Sequence, residues 1–230
     1  MTSDASQPLA DAMLRRLSET VALSLWRLGA VRVNSSDPFL LASGNRSPIY
    51  VNCRRVISDP VTMELFVATS RLLLSERDVQ IDAVAGGETA GIPFAAYLAA
   101  ALGRPMIYVR KKPKGHGLAS QVEGHLAPGS RVLLVEDLIT DGGSKFGFLD
   151  ALEAAGGTVE HALVFFDRQQ GGASLLAQRG VTLHSVADCD TALSVGESEE
   201  RLNAEEREMV EGYFHDPEAW HRDRGFEFTA

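Results

Sequence analysis

Val132-Leu133-Leu134-Val135-Glu136-Asp137-Leu138-Ile139-Thr140-Asp141-Gly142-Gly143-Ser144 decides the fold of this chain. An apolar run meets two adjacent acids, then a Thr/Asp/Gly/Gly/Ser loop, and a helical pattern fills residues 145–155. A buried strand, a glycine-rich loop and a helix in that order make one unit of a parallel α/β sheet. The loop aims backbone N–H groups beyond the strand end, where unpaired amides and the helix dipole favour an anion. The Thr140 and Ser144 hydroxyls can add donors. Glu136 and Asp137 would repel a bare phosphate, so the pattern suits a ligand carrying hydroxyls or a metal beside its phosphate, such as a sugar phosphate. The loop lacks the Gly-Lys pair of a nucleotide P-loop. An ordinary strand–loop–helix crossover with an acidic edge is the competing reading.

Working outward, the chain alternates. Strands are predicted at residues 81–85, 106–109, 131–135, 162–166 and 181–185, with helices at 92–102 and 144–155. This is a central parallel sheet with helices on both faces, and in such sheets ligands sit beyond the C-terminal strand ends. Upstream, Met13, Leu14, Leu17, Val21, Leu25 and Leu28 fall at helical spacing up to Gly29. Residues 39–41 and 49–51 read as a hairpin around a Gly/Asn/Ser/Pro turn, within a hood of roughly residues 30–58. Asp59-Pro60 opens a further helix as N-cap and first turn. Asn203-Ala204-Glu205-Glu206 is a capping box that starts a helix in a C-terminal tail of roughly residues 196–230, expected to pack on the surface. The whole is expected to be a single domain over residues 1–230.

Composition narrows the partners. With 45% hydrophobic residues the chain is globular, and a net charge of −9 argues against a general nucleic-acid binder. Cys53 and Cys189 are far apart in sequence, in no metal or redox spacing, which suits a reducing compartment. No apolar run reaches membrane-spanning length and residues 1–10 lack a signal-peptide layout, so a soluble cytoplasmic protein with no membrane partner is expected.

In this acidic chain, Arg110-Lys111-Lys112-Pro113-Lys114-Gly115-His116-Gly117 follows a strand directly. A basic run taken alone reads as a solvated loop; punctuated by Pro and Gly in an acidic chain, this one reads as a flap of cations able to stabilise a leaving pyrophosphate. Arg168, after another strand end, can grip a carboxylate or its flanking carbonyl with two parallel hydrogen bonds. Tyr50 reads either as the wall of a planar ligand or as a half-buried strand aromatic.

The 132–144 stretch resembles the 5-phosphoribosyl 1-pyrophosphate (PRPP) motif of the type I phosphoribosyltransferases. The basic run is similar to the catalytic loop of the orotate phosphoribosyltransferases through Arg110, Lys111, Lys114, His116 and Gly117. The resemblance extends to Ser43-Gly44, Ser47-Pro48-Ile49-Tyr50, Gly91-Ile92-Pro93 and Asp167-Arg168-Gln169-Gln170-Gly171-Gly172, most of the chain from Phe39 to Gly172. It implies the type I phosphoribosyltransferase fold with a small N-terminal hairpin hood, and transfer of a phosphoribosyl group from PRPP to orotate. It further implies PRPP bound by Arg110, Lys111, Lys114, His116, Glu136, Asp137, Leu138, Ile139, Thr140, Asp141, Gly142, Gly143 and Ser144. Lys114, His116 and Asp137 would be catalytic, and Thr140, Arg168 and Tyr50 would contact orotate. No protein-held metal is implied: Mg²⁺ would be held mainly by PRPP. A homodimer sharing its active sites is the family expectation. Transfer to another base, or a PRPP-sensing regulatory module of the same fold, are the alternatives. Two family lysines are replaced here, by Ala42 and Ala90. Neighbouring Arg46, the first candidate, or Arg54 would have to supply that charge.

Overall fold

The computed structural model describes residues 6–41, 43–112, 121–140 and 143–229. The chain opens with α1 (Ser6–Arg27), then β1 (Val31–Val33), β2 (Phe39–Leu40), β3 (Arg46–Ser47) and β4 (Ile49–Val51). These four strands form two separate ribbons rather than the single predicted hairpin. Phe39 and Leu40 pair with Ser47 and Arg46, whereas residues 49–51 pair antiparallel with 31–33. Pro48 is the reason, because it has no N–H to carry one ladder into the next strand. Its carbonyl accepts from Asn34 N at 2.9 Å, which starts the second ribbon.

A 3₁₀ turn at Cys53–Ser58 leads into α2 (Pro60–Glu76), capped as expected: Asp59 accepts from Thr62 N at 2.9 Å. Then follow β5 (Ala83–Gly87), α3 (Gly91–Leu102), β6 (Met106–Val109), β7 (Val122–Glu123), β8 (Arg131–Ile139) and α4 (Phe146–Ala154). The chain continues through β9 (Thr158–Asp167), α5 (Gly172–Ala177), β10 (Thr182–Asp188), α6 (Cys189–Ser198), α7 (Ala204–His215) and α8 (Pro217–Arg222). The six-stranded sheet has the order β10-β9-β8-β5-β6-β7. Five strands are parallel, but β7 returns antiparallel to β6, so the sheet is mixed and not purely parallel. An antiparallel return needs no crossover helix.

Alternation along β8 divides the core. Leu133 and Val135 join the cluster formed with α1, α2, α3 and α6, while Val132 and Leu134 join that of α4 and α5. Phe66, Phe94 and Phe165 are fully buried in the first cluster with ring centroids 5.3–5.8 Å apart, which locks α2 and α3 onto the sheet.

The tail packs on the hood. His221, fully buried, faces the Pro217 carbonyl through Nδ1 at 2.6 Å, so Nδ1 carries the hydrogen and Nε2 accepts from Arg46 N at 3.0 Å. Asn45 and Thr229 exchange two hydrogen bonds of 2.8 Å each, and the Arg46 guanidinium lies 5.6 Å from the Phe226 ring.

Candidate active site

β8 was expected to end at Val135, yet it runs on to Ile139 because β9 continues alongside it to Asp167. Both acids are therefore strand residues, and the strand's two-residue period turns them to opposite faces. Glu136 follows Val132 and Leu134 toward α4. It is 6% exposed, and Lys145 Nζ donates to its Oε2 at 2.5 Å. Its Oε1 is buried without a hydrogen-bond partner among the described residues. Burial pushes the Glu136 carboxyl above its usual range, and Lys145 is the main opposing influence. The carboxyl fits only because residue 87 has no side chain: a Cβ on Gly87 would collide with Glu136 Oε1 and come within 2.6 Å of the Phe148 ring.

Asp137 turns the other way, toward the Cys53–Ser58 turn. Burial raises its carboxyl too, against Lys145, its hydrogen bond from Leu138 N, and Arg54. The two acids, Arg54, Glu88, Thr89, Ala90, Lys111, Lys145 and Phe148 line one cleft of about 710 Å³. It lies at the C-terminal ends of β5 and β8, where ligands bind parallel sheets. A larger groove of about 880 Å³ runs between α1, α2, β10 and α6 and shares no lining residue with this cleft.

The Asp167–Gly172 segment is clasped onto the end of β8. Arg168 N donates to Ile139 O at 3.0 Å and Gly172 N to Thr140 O at 3.1 Å. This approach needs glycine, since a Cβ on Gly172 would lie 2.6 Å from Ile139 Cγ1 and 2.9 Å from Thr140 O. Asp167 accepts from Gln169 N at 2.8 Å, and Gln169 is paired with Asp190. Arg168 Nε and Gln170 Oε1 are buried without a partner among the described residues, which leaves hydrogen-bonding capacity for a ligand or water. Arg168 also lies close enough to Cys53 and Cys189 to lower their thiols, although burial wins and raises both. Buried neutral thiols of this kind are poor nucleophiles.

The structure thus brings Glu136, Asp137, Leu138, Ile139, Thr140 and Arg168 together at one strand end. Lys111 joins them: its backbone N donates to Glu88 Oε2 at 2.8 Å, fixing the root of the basic run over the cleft. Arg110 instead pairs with Glu123 at 3.5 Å and does not line the cleft. Gly143 lies in a short turn that leads into α4. Lys114, His116, Asp141, Gly142 and Ala42 lie outside the described residues. Tyr50 is not brought to the cleft: its ring is half-buried in the hood, 5.6 Å from Phe39 and 5.2 Å from the Arg32 guanidinium. Arg46 bonds Pro38 O at 2.9 Å, so Arg54 is the arginine in the cleft.

Sequence reasoning missed Lys145, Glu88 and Thr89. Glu88 and Thr89 directly follow β5, where the strand-end rule could have found them. Lys145 sits at the N-terminal end of α4, where the helix dipole disfavours a cation. That misplacement was the available signal that another partner holds it.

The Phosphoribosyl transferase domain family matches residues 65–184. An orotate phosphoribosyltransferase of Sinorhizobium fredii is 45% identical over 215 residues, 91% of this chain and 92% of that protein. The crystal structure of the Aeropyrum pernix orotate phosphoribosyltransferase superposes with a TM-score of 0.66 at 41% identity, over 76% of this chain and 96% of that one. The Mycobacterium tuberculosis orotate phosphoribosyltransferase, solved in complex with PRPP, gives 0.62 at 28% identity, over 76% of this chain and 98% of that one. Likeness of this extent, in sequence and in fold, makes the chain a member of the orotate phosphoribosyltransferase family.

Proposed function

We propose that this chain joins orotate N1 to C1 of PRPP, releasing pyrophosphate and forming orotidine 5′-phosphate, as a Mg²⁺-dependent cytoplasmic homodimer of pyrimidine nucleotide synthesis. The observation that carries this reading is the clasp of Arg168 and Gly172 on Ile139 and Thr140. It sets a guanidinium suited to a carboxylated base beside a loop suited to a 5′-phosphate. As the bond from C1 to pyrophosphate breaks, positive charge grows on the ribose ring and negative charge on the leaving group. Glu136 and Asp137 hold the ribose and favour the cationic ring, and Lys145 and Arg54 oppose the rise that burial gives the Asp137 carboxyl. Lys111, Lys114 and His116 cover the pyrophosphate, with Arg110, paired to Glu123, at the root of the flap. Glu136 is engaged with Lys145 and the two acids face apart, a donor set that suits an ion delivered on PRPP's own oxygens. That ion neutralises phosphate charge when bound.

The deciding assay is Mg²⁺- and PRPP-dependent loss of orotate absorbance against a panel of other bases. Turnover of a purine in place of orotate would reject the reading. PRPP binding with no turnover of any base would favour a regulatory module.

Arg54 takes the place first expected of Arg46. Arg54→Ala is expected to raise the KM for PRPP about tenfold, the worth of about 1.4 kcal/mol, with the KM for orotate nearly unchanged. Arg46→Ala should move the KM for PRPP less than about twofold; the reverse order would return the role to Arg46.

Shared sites in a homodimer are tested by mixing Lys114→Ala with Asp137→Asn, each inactive alone. If the flap serves the partner's site, a mixed dimer has one site with both defects and one with neither. Random pairing then restores roughly a quarter of wild-type activity under two-fold symmetry. No recovery in a preparation shown by mass spectrometry to contain mixed dimers would mean that each flap serves its own subunit.

A further inference from the structure

Lys145 acts on Asp137 only through its charge, yet it is the only described side chain that bonds the Glu136 carboxyl. Its Nζ meets Oε2 at 2.5 Å, and the two side chains are only 12% and 8% exposed. The other oxygen packs among Gly87, Gly91 and Phe148 with no described partner. A buried carboxylate with one oxygen unsatisfied is costly to keep charged, and taking a proton is the usual escape. The remaining groups around it cannot replace Lys145. Asp137, on the same strand, is a like charge, and Lys111 is a weaker influence from the end of β6. Across the cleft lie Arg54, which acts on Asp137, and Glu88, another like charge. The α3 and β9 residues beside Glu136 are Gly91 and Val164, which carry no charge.

We propose that Lys145 is a positioning residue for the ribose end of the PRPP site, acting through Glu136 by fixing its carboxylate with Oε2 toward the cleft. The proposal rests on the reading of the cleft as a PRPP site. It makes the helix that follows the phosphate loop a second contributor to sugar recognition: the loop that would seat the 5′-phosphate runs straight into the cation that sets the ribose carboxylate.

The sign of the pH effect follows. Affinity that depends on an ionised Glu136 is present above its titration and is lost as pH falls through it. Burial already raises that titration and Lys145 lowers it, so removing Lys145 moves the loss of affinity to higher pH.

The test is PRPP binding by calorimetry from pH 5 to 9, which needs no turnover. For Lys145→Met, affinity should stay near wild type at the alkaline end and fall progressively below it as pH is lowered, by up to about tenfold, the full effect of a displacement of about one pH unit. Titration of PRPP itself is common to all variants and cancels in the ratio. Lys145→Arg should restore most of the loss. In a Glu136→Gln background, adding Lys145→Met should change affinity by less than about twofold, because the group it acts through is gone. This neutral double variant also keeps the test open if Lys145→Met alone folds poorly. A loss equal at every pH, or equally large in the Glu136→Gln background, would overturn the proposal and make Lys145 a direct ligand or a purely structural residue. If wild type binds PRPP with this dependence but leaves orotate untouched, the catalytic reading fails and the proposal stands; if wild type does not bind PRPP, both fail.

Discussion

Gly87→Ala is expected to lower turnover more than a hundredfold and to destabilise the fold by about 1–3 kcal/mol. The added methyl group would land on Glu136 Oε1 and against the Phe148 ring, both buried side chains with little room to retreat. Relief means moving the carboxylate away from Lys145 or lifting α4 from the sheet. The first disrupts the strand-end geometry, and displacements of about 1 Å are enough for hundredfold losses. The second opens the core around Phe148 and Leu152. Thermal unfolding together with steady-state assay separates the two routes. A variant within twofold of wild-type turnover would show that the reaction does not need Glu136 where it stands.

Nothing in the residues next to Gly87 marks its role. Gly86-Gly87 reads as a strand end and nothing more, because the constraint comes from Glu136, 49 positions on, through the pairing of β5 with β8. The same holds for the other misses. The Val132–Val135 apolar run marks its strand, but the length of β8 depends on β9, so the sequence alone ends the strand before the two acids. Residues 49–51 alternate well enough to pair with either 39–41 or 31–33, and only Pro48 and the Asn34 contact decide between them. Features carried by a few consecutive residues were legible. The Asp59-Pro60 start of α2 and the Asn203–Glu206 capping box both stand where the local chemistry put them. The strand-end site was legible for the same reason, because its segments each follow a strand, whereas Lys145 became visible only when α4 was laid beside β8.

Lys114→Ala is expected to cut kcat by about 10²–10³-fold, the usual cost of losing one donor aimed at charge that develops in the transition state. Its melting temperature should match wild type. Lys114 belongs to a run of four cations punctuated by Pro113, Gly115 and Gly117, a composition with little apolar surface to bury. Among the described residues the run is held at its first part: Arg110 N bonds Gln121 O at 2.8 Å, and Lys111 N bonds Glu88 at 2.8 Å. Rapid-quench measurement of the chemical step, beside a melting curve, checks both halves. Near-normal turnover would remove Lys114 from the catalytic set, and a large loss of stability would make it structural.

The paired hydrogen bonds between Asn45 and Thr229 have a consequence for how the molecule is made. They join positions 184 residues apart, with the Arg46–His221 bond beside them. The β2–β3 ribbon therefore leaves the ribosome long before the segment that secures it. At typical elongation rates of 5–20 residues per second the interval is roughly 10 to 40 seconds. A two-stranded ribbon is marginal alone in water, so during translation the hood waits unfastened while the sheet assembles behind it. A segment synthesised late is the one that fastens an early ribbon in place.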